Sequence, residues 1–174
     1  MKHPLLSVAT LGLLVLSAGC YSDKPQGRVV AIAVLSAASG STVGGTVNFI
    51  AEKDGIRVVA NFGGLSPGLH GFHIHEHGDC SAPDAKSAGG HFNPTGMPHA
   101  GPMDAARHMG DLGNLEADAA GNATYSRKFS DLKIRGATSI LGKAVIVHAK
   151  ADDLKTQPAG DAGDRVACGV IVKY

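Results

Sequence analysis

From Arg28 to the C-terminus, short β-rich segments recur between glycine-bearing turns, and no long stretch carries a helical apolar period. The segments are Arg28–Ala37, Thr46–Glu52, Ile56–Phe62, Leu69–His75, Gly113–Asp118, Ala123–Phe129, Ala144–His148 and Val166–Val172. Asp54-Gly55 and Ala120-Gly121-Asn122 read as hairpin turns. Eight short strands joined this way predict an all-β fold, an eight-stranded antiparallel sandwich or barrel. The 24 glycines and 8 prolines among 174 residues serve those turns, and stay below the roughly 25% share that signals low-complexity disorder. The length suits one domain with a proper core.

Two connections, Glu76 to Leu112 and Ala149 to Arg165, are far longer than hairpin turns. Loops beyond roughly 12–15 residues are usually functional or disordered. The first contains His77, His91, His99, His108 and Cys80, so both are expected to be ordered and to build a site on a rigid scaffold.

Nine histidines are the outlying number in this composition. His73-Ile74-His75 lies in strand context, where a period of two sends both imidazoles to one face. His91, His99, His108 and Asp111 offer three imidazoles and a carboxylate, a four-donor set suited to Zn²⁺. His148 closes another strand and can join His73 and His75, but four imidazoles suit Cu(II) and this set is one short. A histidine shared between two adjacent metals, one on each ring nitrogen, would complete both sets. The charge, sixteen Lys+Arg against fifteen Asp+Glu, leaves no nucleic-acid footprint. The chain has no GxSxG, HExxH or phosphate-loop motif, which argues against those hydrolases and against nucleotide binding.

The first residues read as an address. Met1-Lys2-His3 precedes an apolar run from Leu5 to Leu16, too short to span a bilayer but of the length of a secretory signal. Residues 1–19 are expected to be a signal peptide. Ser17-Ala18-Gly19-Cys20 resembles the bacterial lipobox, which implies that Cys20 becomes the lipid-modified first residue of an exported protein. Residues 20–27 would then be a tether, and residues 28–174 the folded domain. Cys80 and Cys168 remain as an even pair in an oxidising compartment, which favours a disulfide over Cys80 as a metal ligand.

The blocks GFHIHEHGDC (71–80), GGHFNP (89–94), RHMGDLGNL (107–115), VIVHAKADDL (145–154) and GDAGDRVACGVI (160–171) resemble the copper–zinc superoxide dismutase family. The resemblance implies a Greek-key arrangement of the sandwich and disproportionation of superoxide to O₂ and hydrogen peroxide. It implies copper on His73, His75, His91 and His148, and zinc on His91, His99, His108 and Asp111, with His91 as the shared imidazolate. Asp152 would link His73 to His99 from behind the metals, Arg165 would stand at the mouth of the copper channel, and Cys80–Cys168 would anchor the long loop. His70 would be structural and His77 a surface residue. The loop from Ala149 to Arg165 is shorter than in many eukaryotic members and supplies Lys150 and Lys155 near Asp152, Asp153, Asp161 and Asp164, which leaves the steering charges and homodimer formation open. A non-catalytic copper/zinc-binding or metal-delivery module on the same fold is the alternative, though such relatives usually lack a ligand or the channel arginine. With the lipobox, the family reading puts the protein on the periplasmic side of the envelope, anchored to a membrane. The absence of aspartate after Cys20 favours the outer one.

Overall fold

The computed structural model describes residues 27–174. The signal peptide, the Cys20 lipid anchor and most of the tether lie outside the described residues. Nine strands follow in order: β1 Arg28–Ala37, β2 Gly44–Glu52, β3 Gly55–Gly63, β4 Gly68–His75, β5 Asp111–Ala117, β6 Ala123–Phe129, β7 Ala144–His148, β8 Arg165–Val170 and β9 Val172–Lys173. They hydrogen-bond in the order β2-β3-β6-β5-β4-β7-β8-β1-β9, and β1 also pairs with β2, so eight strands close into an antiparallel Greek-key barrel. Two seams are thin. β5 meets β6 in register at Ala117–Ala123, and β1 meets β8 at Ser36–Cys168 and Ala37–Ala167. The barrel is therefore flattened towards a sandwich of two sheets.

Alternation builds the core. Ala31, Ala33 and Leu35 of β1, Val47 and Phe49 of β2, and Val58, Ala60 and Phe62 of β3 point inward, each separated from the next by one residue that faces out. Phe72 packs edge-on against both Phe62 and Tyr125, with centroids 5.8 and 5.2 Å apart. On β4 and β7 the alternation disappears: Gly71 to His75 are wholly buried residues except for one small contact with solvent, as are all five residues of β7. Phe72, Ile74, Val145 and Val147 face the barrel core, while the two long loops cover the opposite face. Under the first loop, Ala144, Ile146 and Cys168 form a second small cluster with Ala38, Ala85 and Ala88.

Most strands match their expected ranges to within one or two residues, and the informative departures are in β5, in the last strand and in a connection. β5 begins at Asp111, two residues early, because Asp111 already pairs with His73 after a register shift in β4. The last strand divides at Ile171, and β9 crosses to pair with Ala31 and Ile32 of β1. A third long connection, residues 130–143, has no regular period, yet it buries Leu132 and Ile140 in the core. Its irregular spacing gave no sequence signal.

Candidate metal centre

The site grows outward from the covered face of β4. His73 and His75 lie two residues apart and emerge on the loop side, while Ile74 between them enters the core. His148, at the end of the neighbouring β7, joins them; its ring centroid lies 4.9 Å from that of His73. His91 comes from the first loop and forms an isolated bridge to His75, which carries its ring to within 4.0 Å of the His73 ring. Beyond His91 stand His99, His108 and Asp111, all buried.

Two donor sets result, one of His73, His75, His91 and His148, the other of His91, His99, His108 and Asp111. Within each set the donor atoms all lie within 4.8 Å of one another, a spacing that nitrogens bound about 2 Å from a common ion can meet. Buried polar atoms normally find a partner, but His73 Nδ1, His75 Nε2, His91 Nε2 and His148 Nε2 have none among the described residues. His99 Nδ1 also lacks hydrogen-bond geometry, although Asp111 Oδ1 is 3.0 Å away. Four unpartnered imidazole nitrogens converging on one point fit a copper ion, and three imidazoles with a carboxylate fit zinc.

The other ring nitrogen of nearly every histidine is engaged. His75 Nδ1 donates to the Gly89 carbonyl at 2.9 Å, and His148 Nδ1 to the Gly163 carbonyl at 3.1 Å. Asp152 accepts from His73 Nε2 at 2.7 Å on one oxygen and from His99 Nε2 at 2.9 Å on the other. These bonds fix the ring orientations and leave the inward nitrogens as donors to a metal. His91 is different. Its Nδ1 lies 2.8 Å from Asp111 Oδ1, while its Nε2 faces the other three histidines, so one ring touches both sets.

The electrostatics follow from burial and crowding. Burial first, then the neighbouring His91 and His148, holds His73 and His75 well below the ordinary imidazole range. Burial takes His148 down to about 4. For His99 burial acts downward, but the adjacent Asp111 carboxylate and the hydrogen bond that His99 donates to Asp152 outweigh it and raise the ring to about 9. Burial opposes ionisation of Asp111 as well, and its bond to His91 together with the His99 ring 3.0 Å away more than compensates, so its carboxyl stays well below the usual range.

Arg165 begins β8 and reaches back into the first loop, donating to the carbonyls of Ala85 and Gly89, each at 2.7 Å. The Gly89 carbonyl thus serves both Arg165 and His75. Gly89 itself has φ +73°, and a Cβ there would meet Glu76 and His77 atoms at 2.7 Å, so only glycine presents that carbonyl without strain. The Cys80–Cys168 disulfide closes the same loop onto β8. Arg165 lines a cavity of about 560 Å³ together with His75, His91, His148, Asp84, Lys86 and Asp164. The loop lysines Lys150 and Lys155 are not among its lining residues; the second cation there is Lys86, paired with Asp84 at 2.9 Å.

Other sequence expectations also find their places. His70 Nδ1 donates to the His148 carbonyl at 2.8 Å and its Nε2 accepts from the Ser66 hydroxyl at 3.2 Å, a structural tie at the root of β7's last residue. His77 is on the surface, 3.7 Å from Glu76. Three supports escaped the sequence reading. Asn114 exchanges two hydrogen bonds with the Asp152 backbone, Gln157 does the same with His99, and buried Arg107 links Asp131 to the carbonyls of His108 and Met109. No local pattern marks a polar side chain whose partner lies 38 or 58 residues away.

A family model described as copper/zinc superoxide dismutase matches residues 43–171. A relative named superoxide dismutase [Cu-Zn] from Paramecium bursaria Chlorella virus 1 is 41% identical over 174 residues, covering 96% of this chain and 90% of its own. One of the same name from Onchocerca volvulus is 43% identical over 152 residues, covering 81% of this chain and 94% of its own. Among solved structures, the crystal structure of the clock protein EA4 superposes with a TM-score of 0.76 at 40% identity, covering 85% of this chain and 96% of that one.

Proposed function

The chain belongs to the copper/zinc superoxide dismutase family and disproportionates superoxide with copper and zinc as cofactors, and from that premise we propose how its own residues divide the work. His73, His75, His91 and His148 would hold copper; His91, His99, His108 and Asp111 would hold zinc. Bound copper supplies the reversible one-electron step that no side chain here provides, while zinc, without redox chemistry, supplies a fixed positive charge. Over a full cycle one superoxide gives up an electron and leaves as O₂. A second takes up that electron and two protons and leaves as hydrogen peroxide.

Arg165 draws the anion into the cavity and holds it. Its guanidinium is immobilised by the Ala85 and Gly89 carbonyls, so its charge is preorganised where the substrate must arrive. His91 Nε2 would take up a proton only when its lone pair is not engaged as a ligand, and would pass it to the reduced substrate, the other proton coming from solvent. Its Nδ1, beside Asp111, keeps the ring in place while Nε2 exchanges the proton. Asp152 orients one ring of each set and so couples the two sites mechanically.

The observation that carries this reading is the single His91 ring with one nitrogen in each donor set. Superoxide removal by the metal-loaded protein, with copper and zinc content measured on the same sample, tests it. Full occupancy without turnover would identify a metal-delivery module.

The chain is further proposed to be exported through residues 1–19 and anchored by a lipid on Cys20, with residues 20–27 as the tether, at the periplasmic side of the envelope and by preference on the outer membrane. Support comes from the lipobox-like Ser17-Ala18-Gly19-Cys20 and from the Cys80–Cys168 disulfide, which persists in an oxidising compartment. Mass spectrometry of the purified membrane fraction tests the modification.

A further inference from the structure

The folded domain starts beside a groove that the reaction does not use. Its volume is about 650 Å³, and Arg28, the first residue of β1, lines it. Val30, Ile56, Leu132 and Leu141 give it an apolar floor. Around the rim stand Arg28, Lys133, Arg135 and Lys173, all exposed. Among the described residues that line it the one acidic side chain is Glu52, and Arg57 Nε already binds it at 2.6 Å. Val172 and Tyr174, 50% and 73% exposed, project from the same end of the chain.

We propose that this groove docks the domain on a bilayer surface of anionic phospholipids. The inference rests on the reading of Cys20 as the lipid anchor, because that anchor holds the groove near the membrane. Only the tether separates Cys20 from Arg28, and seven residues fully extended reach at most about 25 Å. Whatever element follows the tether therefore lies within reach of the headgroups, and here it is the basic rim. A basic rim held this close to the headgroups is attracted to anionic lipids within a Debye length of the surface. The apolar floor and the exposed Tyr174 suit the interfacial layer, where aromatic and aliphatic groups insert beside charged headgroups.

Docking through this end also sets an orientation. Arg28 begins β1 and lines the groove; Ser39, just past the far end of β1, lines the metal cavity with Arg165. A ten-residue strand spans roughly 30 Å. The metal cavity then lies at the end of β1 remote from the bilayer, where the negative surface potential of the lipids has largely decayed for an anionic substrate.

The test uses the metal-loaded chain from residue 20 onward with Cys20→Ser, so that no acyl chain contributes. It is sedimented with vesicles of phosphatidylcholine alone or enriched in phosphatidylglycerol. Binding to the anionic vesicles is expected, falling with salt and about tenfold or more weaker in the Lys133→Glu/Arg135→Glu variant. Superoxide removal in solution should be equal in both proteins, which shows the variant folded. Equal partition into the two vesicle types, or a variant that binds like its parent, overturns the proposal. So does a concentration-dependent dimer that the double substitution dissolves, since a second copy would then cover the groove. The lipid on Cys20 is read separately by mass, so loss of the anchor reading and loss of the docking reading are distinct outcomes.

Discussion

Gln157 and His99 hold each other through two hydrogen bonds: the His99 backbone N–H donates to Gln157 Oε1 at 2.8 Å, and Gln157 Nε2 donates to the His99 carbonyl at 2.7 Å. The side-chain amide acts as a short strand partner and fastens the second long loop to the first. The residue it fastens carries one of the zinc-site nitrogens. Gln157→Ala removes both bonds, each worth about 1 kcal/mol, and should weaken zinc retention about tenfold. Competition against a chelator measures this, and unchanged retention would mean that the loops hold His99 without help.

Asp152 gives one oxygen to His73 of the four-histidine set and the other to His99 of the set that includes Asp111. Asp152→Ala should therefore lower affinity for both metals, by about 10–100-fold each. Metal analysis after dialysis against a chelator reads the two together. A loss confined to one metal would show that the carboxylate does not couple the sites.

Arg165 contributes a charge and a geometry. Arg165→Ala should slow superoxide removal about tenfold or more and flatten its dependence on ionic strength. Arg165→Lys keeps the charge but cannot reproduce both bonds to Ala85 and Gly89, so it should retain the salt dependence with an intermediate rate. Rates measured across a salt series separate the two contributions.

The metal-free protein should lose stability in mild acid. His148 is held at about 4, below its ordinary 6.5, and His73 and His75 are shifted in the same direction. Between those values the unfolded chain binds more protons than the folded one, so stability is full above about pH 6.5 and falls as pH drops towards 4. His148 alone accounts for roughly 3 kcal/mol of that loss. His99, raised to about 9, acts oppositely: its contribution is full below about 6.5 and fades as pH rises through 9. Denaturant midpoints of the metal-free protein from pH 4 to 9 should trace a maximum between these limbs.

Cutting the Cys80–Cys168 disulfide frees a loop of sequence separation 88. The loop-entropy account gives about 4–5 kcal/mol, or a fall of roughly 10 °C or more in the unfolding midpoint of a domain this size. Calorimetry of the Cys80→Ser/Cys168→Ser variant checks the magnitude. Because Ala85 and Gly89 lie in that loop, Arg165 should also lose its anchorage and the rate should fall.

Strand identity was legible because burial on one face writes a period of two into β1, β2 and β3. It was least legible at the ends of β5 and β8, where pairing partners rather than composition set the limits. In the site, His73 and His75 could be assigned to one face from spacing alone, since strand geometry fixes where alternate side chains point. His91, His99 and His108 could be nominated by residue type, and the family resemblance assigned them to metals.

The chain alone determined the donor inventory, the turn positions and the alternation that makes a barrel, because each depends on residues close together along the backbone. Only the packed fold decided that His91 would present different nitrogens to two donor sets, that Asn114, Gln157 and Arg107 would brace them, and that Lys86 rather than Lys150 or Lys155 would line the cavity mouth. Those relations join segments tens of residues apart. Their distances are set by how two irregular loops settle on the buried face of β4 and β7, and no local propensity encodes a contact whose two halves meet only after the barrel has closed.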